Sequence, residues 1–365
     1  MMRFGKRVGA AAVVTGLVAA GAVATPSTAG AARGESPGVE RVFSRGLDGP
    51  FGLATLGRGF VVAESASGQV TRIGRRGGQR VLVSGAPGVA GVAAGRLRVF
   101  SALGGSDEGG APPPGSYAPS SVLRTNLRTH RTKVIADLLK YELARNPDGQ
   151  VQLVDGKPVD SLSNPFSMTS YRRGLLVADG GANDVLLVNK RTGRIRTFFV
   201  PPTVKDVPAC LEPGAQANPG TVGCDPVPTG VTVARGSVYV STLGAERPGA
   251  GRVYKLHPRT GRVQRVWKGL TSPTGIAVGR DRSIYVSQVL FGAPEGAPGP
   301  GFDPASIGRI TRIARNGRMT HAQVTMPTGL VMKRGTLYSS AWSIASFFNL
   351  NGAGQVVKVR RGAFH

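Results

Sequence analysis

The sequence predicts an all-β protein, a six-bladed β-propeller built from four-stranded antiparallel blades. The first observation is a repeated unit, which consists of a short apolar strand opened by Pro-x-Gly, a polar turn and a second, alternating strand. Six copies of one all-β unit indicate a repeat fold. The copies begin at Pro228, Pro273 and Pro327, where each reads Pro-Thr-Gly, and more loosely at Pro50, Val89 and Pro165.

The second observation is the spacing of strands and turns. The first unit predicts strands near Phe51–Leu56, Phe60–Ala63, Gln69–Ile73 and Gln79–Val83. Four strands in about forty residues match one propeller blade. The chain is rich in turn residues, with Gly 54 and Pro 26, and its best helical candidate, Ile135–Ala144, is short.

The third observation is a deficit in the last unit, which shows only three strands and ends at 355–359. An isolated strand at Val39–Phe43 has no Pro-x-Gly unit before it and can supply the fourth. Such pairing closes the ring and protects an edge that would otherwise be exposed. Five or seven blades stay open as alternatives if residues 102–163 hide a blade or the second unit is not one.

The N-terminus has the pattern of an export signal. A basic start, Arg3 to Arg7, precedes an apolar stretch at Val8–Ala24 and a small-residue site at Ala29–Ala31. We therefore expect a signal peptide at 1–31, with cleavage after Ala24 as the alternative, a flexible linker at 32–38 and a single propeller domain at 39–365. This predicts a secreted protein, extracellular or associated with the cell wall, without a transmembrane segment after cleavage.

The formal net charge is +26, which favours an anionic partner or reflects a solvated basic surface. The arginines are scattered along predicted outer strands, and no aromatic residues alternate with them as single-stranded nucleic acid would require. We expect weak association with anionic cell-wall polymers, no nucleic-acid binding, and a monomer.

Two cysteines, Cys210 and Cys224, lie in one predicted loop. An even count in an exported chain predicts a disulfide, and two buried free thiols are the alternative. A structural zinc site is excluded, because no histidine lies near.

The sequence shows no catalytic residues. It has no Gly-x-Ser-x-Gly motif, and its four histidines lie in predicted outer turns or at the C-terminus. A serine hydrolase is therefore not expected.

A metal site at the mouth of the central channel is the remaining chemical hypothesis. The ends of the second strands point to one face, and only two of these six positions carry carboxylates, Glu64 and Asp179. With Asn183 and Asp184 they form a candidate set for Ca²⁺ or another divalent cation. The alternative is that Asp179 caps its own turn by accepting from the amides of Gly181 or Ala182.

Long insertions are predicted to emerge on one face of the ring, which is typical of a binding surface on a rigid scaffold. Candidate ligand-binding residues there are Tyr117, Phe302 and Trp342. The alternative is that such aromatic side chains pack the loops. The insertions are 102–119, 138–163, 201–226, 290–307 and 341–354.

Several segments carry a resemblance to known families. Residues 174–185 resemble an NHL-type blade, and 141–149, 163–167, 226–231 and 346–359 resemble the secreted bacterial family named after the scytonemin-cluster proteins ScyD and ScyE. This resemblance implies a propeller-like fold and no established activity. More distantly, it implies kinship with six-bladed lactonases of the SMP-30/gluconolactonase type.

These observations predict a secreted propeller that presents a ligand- or protein-binding face and has no defined catalytic activity. The alternative is a metal-dependent lactonase or hydrolase with a divalent cation at the channel mouth.

Overall fold

The computed structural model describes residues 39–105, 113–216, 218–294, 296 and 298–365. The predicted signal peptide and linker lie outside these residues, as does part of the first insertion. The described chain forms six four-stranded antiparallel sheets, each a blade of one ring. The predicted six-bladed propeller is confirmed.

The first half of the chain contains one isolated strand, three blades and one helix. It opens with β1 (Val39–Leu47). Blade 1 comprises β2 (Pro50–Leu56), β3 (Gly59–Glu64), β4 (Gln69–Ile73) and β5 (Gln79–Val83). Blade 2 comprises β6 (Val89–Ala94), β7 (Arg98–Leu103), β8 (Ser121–Asn126) and β9 (Thr132–Asp137). An insertion follows with α1 (Leu138–Arg145) and a hairpin, β10 (Leu153–Val154) and β11 (Lys157–Pro158). Blade 3 comprises β12 (Pro165–Tyr171), β13 (Gly174–Asp179), β14 (Asp184–Asn189) and β15 (Ile195–Phe199).

The second half completes the ring. Blade 4 comprises β16 (Pro228–Ala234), β17 (Ser237–Thr242), β18 (Gly251–Leu256) and β19 (Val263–Leu270). Blade 5 comprises β20 (Pro273–Val278), β21 (Ile284–Gln288), β22 (Arg309–Ile313) and β23 (Met319–Gln323). Blade 6 comprises β24 (Leu330–Lys333), β25 (Thr336–Ala341) and β26 (Gly354–Val359). Short 3₁₀ turns lie at Pro208–Cys210, Pro304–Ser306, Ala345–Phe348 and Arg361–Ala363.

The ring is closed by its first strand. β1 pairs antiparallel with β26, with Val39 opposite Val359 and Leu47 opposite Gly354, and forms the outer strand of blade 6. This confirms the predicted closure. The described part of 102–163 contributes two strands of blade 2, α1 and a two-stranded hairpin but no additional blade, so the alternatives of five and seven blades are wrong.

The Pro-Thr-Gly unit is a joint between neighbouring blades. A Cβ atom on Gly275 would lie 1.9 Å from the carbonyl oxygen of Thr328, and one on Gly329 would lie 2.4 Å from that of Phe51. Only glycine permits this close approach of backbones. The hydroxyls of Thr229, Thr274 and Thr328 donate to the carbonyls of Pro273, Pro327 and Pro50 at 2.7, 3.1 and 3.0 Å. The Pro-Thr-Gly unit therefore packs neighbouring blades together and is not a candidate chemical site.

Apolar side chains fill the spaces between blades. Between blades 3 and 4, for example, Leu176 and Val185 pack with Val240 and Leu256, and all four are fully buried. Among the described residues no helix is long and apolar enough to cross a bilayer.

The connections differ sharply between the two faces of the ring. The turns between the first and second strands of a blade, and between its third and fourth strands, are short. The long connections all follow the second or the fourth strand of a blade. Because strands alternate in direction, these long connections emerge on one side, which we call the insertion face. Its segments are 104–120, 138–164, 200–227, 289–308 and 342–353.

Candidate functional site: a carboxylate cluster under the insertions

The mouth of the central channel is occupied by aromatic side chains. Phe51 and Phe166 lie at the starts of the inner strands of blades 1 and 3, and their ring centroids are 5.3 Å apart. These blades are not neighbours, so the contact lies across the axial space. Two apolar rings therefore narrow the central channel near the place at which the sequence predicts a metal site.

Glu64 lies in blade 1, where its side chain holds the segment that leads into the inner strand β2. Its Oε2 accepts from the amide of Asp48 at 2.7 Å. Gln288 does the same in blade 5, where its Oε1 accepts from the amide of Thr271 at 2.6 Å. Glu64 is thus two blades away from the other three predicted metal ligands, which all belong to blade 3.

Asp179 caps backbone and side-chain donors around its own turn. Its Oδ1 accepts from the amides of Asn164 at 2.6 Å and Ala182 at 3.3 Å, and its Oδ2 accepts from the hydroxyl of Ser163 at 2.7 Å. Burial raises the pKa of Asp179 to about 6, although these hydrogen bonds oppose the rise. The contacts match the turn-capping alternative, and both oxygens of Asp179 are already in use.

Asp184 stands opposite Asp179 in the β13–β14 pair and is in a different state. Its side chain is 0% exposed, and neither carboxylate oxygen has a hydrogen-bond partner among the described residues. Burial raises the pKa of Asp184 well above its usual value, and the charges of Asp179, Glu142 and Asp148 raise it further. A buried carboxylate without donors is costly, so Asp184 requires an explanation.

Asp184 belongs to a set that we call the carboxylate cluster: Glu142, Asp148, Asp160, Asp179, Asp184 and Asp225. Loss of solvation and neighbouring carboxylates raise the pKa of Glu142 to about 8 and that of Asp160 to about 7. Burial also raises the pKa of Asp225; the hydrogen bonds from Gln150 and Gln216 oppose this rise, and the charge of Asp148 adds to it. None of the described lysines, arginines or histidines forms an ion pair with any of the six. The cluster therefore concentrates six of the chain's 20 acidic residues, and none of the six has an ion-pair partner in the part of the chain that the structure describes.

Side-chain amides hold the cluster in place. Asn183 donates to Asp148 Oδ2 at 3.2 Å and accepts at its own Oδ1 from the amide of Val227 at 3.1 Å. Gln150 donates to Asp225 Oδ1 at 2.7 Å. The oxygen of Asn183, a predicted metal ligand, is thus engaged by the backbone of the next blade.

The unsatisfied buried atoms around the cluster are all oxygens. Each is an acceptor that no described donor reaches, and a cation can satisfy such a set where a further neutral donor is missing. They are Glu142 Oε2, Asn146 Oδ1, Gln150 Oε1, Asn218 Oδ1 and both oxygens of Asp184. Among the described residues, no three His, Cys, Asp or Glu side chains are arranged to hold one ion as they stand. A bound ion would therefore also need amide or carbonyl oxygens, water and small side-chain shifts.

The disulfide fixes one wall of the cluster. Cys210 and Cys224 are bonded, with Cα atoms 4.8 Å apart, which confirms the prediction. Cys224 also exchanges both backbone hydrogen bonds with Val204, at 2.9 and 3.0 Å. Asp225 follows directly, so its position is set by the covalent link and this short bridge.

The three aromatic side chains predicted to bind ligand lie mainly in packing positions. Trp342 is only 5% exposed and belongs to the core between blades 5 and 6, which corrects the expectation that it lies on the surface. Phe302 is half-buried and stacks on Phe348 at 6.3 Å, and Tyr117 packs against the core of blades 1 and 2. Long loops are held in place by apolar side chains that pack against the core, which explains why these three residues lie in packing positions and not on an open binding surface.

Sequence reasoning missed four members of the cluster, Glu142, Asp148, Asp160 and Asp225. They come from two insertions that flank blade 3, and the spacing along the chain gives no sign that they converge. One signal was available: in a chain with only 20 acidic residues, four carboxylates lie within 142–160. Such a local excess on the predicted insertion face favours a shared site.

Comparisons with known proteins agree on the fold and leave the activity open. No family model and no curated protein matches the chain. A gluconolactonase from Xanthomonas campestris superimposes with a TM-score of 0.52 at 10% identity, covering 86% of this chain and 87% of the other. A glucose dehydrogenase-like putative oxidoreductase from Thermus thermophilus gives 0.52 at 15%, covering 88% and 99%. A Bacteroides thetaiotaomicron protein of unknown function gives 0.53 at 12%, covering 88% and 75%.

These similarities are all below 25% identity and show the fold alone. Six-bladed propellers of the gluconolactonase type are structural neighbours of this chain, and membership of the ScyD/ScyE family stays a prediction. The neighbours include enzymes and a protein without assigned function. The local chemistry of this chain must therefore carry any functional argument.

Proposed function

We propose that this protein is an exported β-propeller that binds a ligand or protein on its insertion face. A divalent cation of the calcium class, held by the carboxylate cluster, orders that face. The observation that carries the proposal is Asp184, a fully buried carboxylate with two unpartnered oxygens among five other carboxylates. The chain is strongly basic overall, yet none of its described cations pairs with this group.

The donor set selects the kind of ion. Carboxylate and amide oxygens surround the cluster, and no histidine or cysteine thiol contributes. Calcium accepts six to eight oxygen ligands in flexible geometry, including carbonyls and water, whereas zinc and copper favour nitrogen and sulfur. A hard divalent cation also neutralises two charges at once, which removes much of the cost of burying them.

Cation binding would link three separate segments of the insertion face. Glu142 lies on α1, Asp184 follows the β13–β14 turn, and Asp225 ends the disulfide loop. Without a cation, the carboxyl groups of these segments must either take up protons or repel one another. With it, the two insertions that flank blade 3 are held against the blade as one surface.

Thermal unfolding with and without calcium tests the proposal. After treatment with EDTA, we expect millimolar CaCl₂ to raise Tm by several degrees, because an ion that binds only the folded state stabilises it. Asp184→Asn should abolish the rise. Asp155→Asn is the matched control, because Asp155 is an exposed carboxylate in the insertion that carries Glu142. No calcium effect on the parent protein, or an equal effect on both variants, would contradict the proposal.

The metal-dependent lactonase predicted as the alternative is not proposed here as the function. Phe51 and Phe166 contact each other across the axial space, the carboxylates of Glu64 and Asp179 already accept from backbone amides, and the similarity to a gluconolactonase shows the fold alone. Hydrolysis of gluconolactone that depends on added divalent cation, and is lost in Asp184→Asn, would reverse this preference.

A further inference from the structure

A broad groove lined by arginines lies along blade 3 and is separate from the carboxylate cluster. Its volume is about 960 Å³, and α1, the β12–β13 turn and strands β14 and β15 line it. Five arginines contribute to its walls, and we call the feature the arginine groove. They are Arg145, Arg172, Arg173, Arg194 and Arg196.

These arginines are exposed and uncompensated. No aspartate or glutamate lines the groove, and none of the five forms an ion pair among the described residues. By contrast, two basic residues of blade 4, Arg252 and Lys268, both contact Asp206 at 2.6 Å. The groove is thus a local excess of positive charge that the protein itself does not neutralise.

The backbone under the groove is fixed. The turn that precedes Arg194 is closed by Asn189, whose side-chain oxygen accepts from the amides of Arg191 and Thr192 at 2.9 and 3.0 Å. The opposite wall is anchored by Tyr141, whose hydroxyl contacts Thr197 Oγ1 at 3.0 Å and accepts from its amide at 3.0 Å. The guanidinium groups therefore project from a rigid frame, which lowers the entropic cost of binding.

We propose that the arginine groove binds a polyanion whose charges are phosphate groups and which carries no bases. Guanidinium groups match phosphate oxygens in bidentate geometry, and five of them exceed what a single phosphate can engage. The only aromatic residues in the lining are Tyr171, which is buried, and Tyr141, whose hydroxyl is already engaged. Tyr141 is half-buried and is the one partly exposed ring in this lining, so the groove lacks the series of rings on which successive nucleobases stack.

Binding of long-chain inorganic polyphosphate, measured by biolayer interferometry at several salt concentrations, tests this proposal. The test variant combines Arg173→Ser with Arg194→Ser, and the matched control combines Arg259→Ser with Arg262→Ser. Arg262 occupies the same place in the corresponding turn of blade 4, where the amide of His257 bonds its carbonyl as the amide of Asn189 bonds that of Arg194. Both pairs change net charge equally, and Tm verifies that both variants fold.

We expect the groove variant to lose at least about tenfold in affinity and the control less than about twofold, because each arginine–phosphate contact contributes to affinity. The salt dependence of binding should decrease in the groove variant for the same reason. Equal losses would mean diffuse attraction by net charge and would overturn the proposal. No binding by the parent protein at low salt would overturn it as well. Tighter binding of oligo-dT than of polyphosphate, with the same dependence on Arg173 and Arg194, would assign the groove to nucleic acid instead.

Discussion

The carboxylate cluster and the arginine groove lie on either side of α1 and show how differently charge acts when buried and when exposed. Glu142 of α1 belongs to the cluster, while Tyr141 and Arg145 of the same helix line the groove. In the cluster, loss of water makes charge costly and raises pKa values. In the groove, water screens the charges and leaves them available to a partner.

This contrast changes the meaning of the net charge of +26. A total charge suggests a uniformly basic surface, whereas the structure separates one acidic interior from one basic groove. In our proposals the cluster stabilises the insertion face, whereas the groove, whose Arg172, Arg173 and Arg194 lie in short turns on the opposite side of the ring, binds a separate anionic partner. Four experiments test this distinction between the carboxylate cluster and the arginine groove.

The largest expected effect is the pH dependence of the metal-free protein. A raised pKa means that the folded form keeps a proton which the unfolded chain has already released, so the free energy of unfolding falls as pH rises. For Glu142 the window runs from 4.5 to about 8, and for Asp160 from 3.8 to about 7. We expect Tm in EDTA to fall by on the order of 5 °C between pH 5 and pH 8. Saturating calcium should flatten the profile, and a metal-free Tm that rises across this range would contradict a buried cluster.

Removal of the disulfide should come next in size. A Cys210→Ser, Cys224→Ser protein loses the constraint on a loop whose cysteines are 14 residues apart, which the chain-entropy model values at about 3 kcal/mol. Because Asp225 adjoins Cys224, we expect calcium affinity, measured by calorimetry, to fall with stability. Polyphosphate binding should stay unchanged, and a parallel loss in the groove would show that the two regions are coupled.

Asp184→Asn should affect the metal-free protein in the opposite direction from the calcium-bound one. Asparagine replaces a buried carboxyl group that must either take up a proton or bear an unpartnered charge on folding, so we expect unfolding in EDTA to become more costly by about 1–2 kcal/mol. In calcium the same variant should be less stable than the parent, because the ligand is lost. Chemical denaturation under both conditions measures the two values. A variant that is destabilised in EDTA would mean that the carboxylate has a partner in the native state.

Salt concentration should affect the two regions differently, and of the four experiments it should change the stability of the protein least. Raising NaCl from about 50 to 500 mM shortens the screening length several-fold, which acts on exposed charges far more than on buried ones. We expect polyphosphate binding to be largely lost while the calcium-induced rise in Tm stays within about 1 °C. Loss of both together would indicate that the cluster is open to solvent.

Sequence reasoning predicted the features of the fold that carry a local pattern along the chain. The Pro-Thr-Gly units, the orphan strand at Val39 and the pair Cys210–Cys224 each carry a local pattern that the structure confirms. The carboxylate cluster lacks such a pattern, because Glu142 and Asp225 lie 83 positions apart and meet only through the folding of two insertions.

Packing also decided which predicted residues stayed available. Of the four residues that the sequence predicts as metal ligands, Asp184 is the one whose two carboxylate oxygens have no hydrogen-bond partner among the described residues. Glu64 and Asp179 look equivalent to it in sequence, yet nearby backbone amides occupy them. The arginines were assigned to scattered outer strands because Arg145 and Arg172 belong to different elements that converge only in space.

The threonine joints have a further consequence for how the ring resists opening. Hydroxyl bonds link blade 4 to 5, 5 to 6 and 6 to 1, whereas blades 1, 2 and 3 carry Phe51, Ala90 and Phe166 at that position. The ring therefore has one arc in which threonine hydroxyls join neighbouring inner strands and a second arc that lacks these threonine bonds. The carboxylate cluster lies beside blade 3 in the second arc, so a bound cation would fasten the segment of the ring in which amide hydrogen exchange should otherwise be fastest.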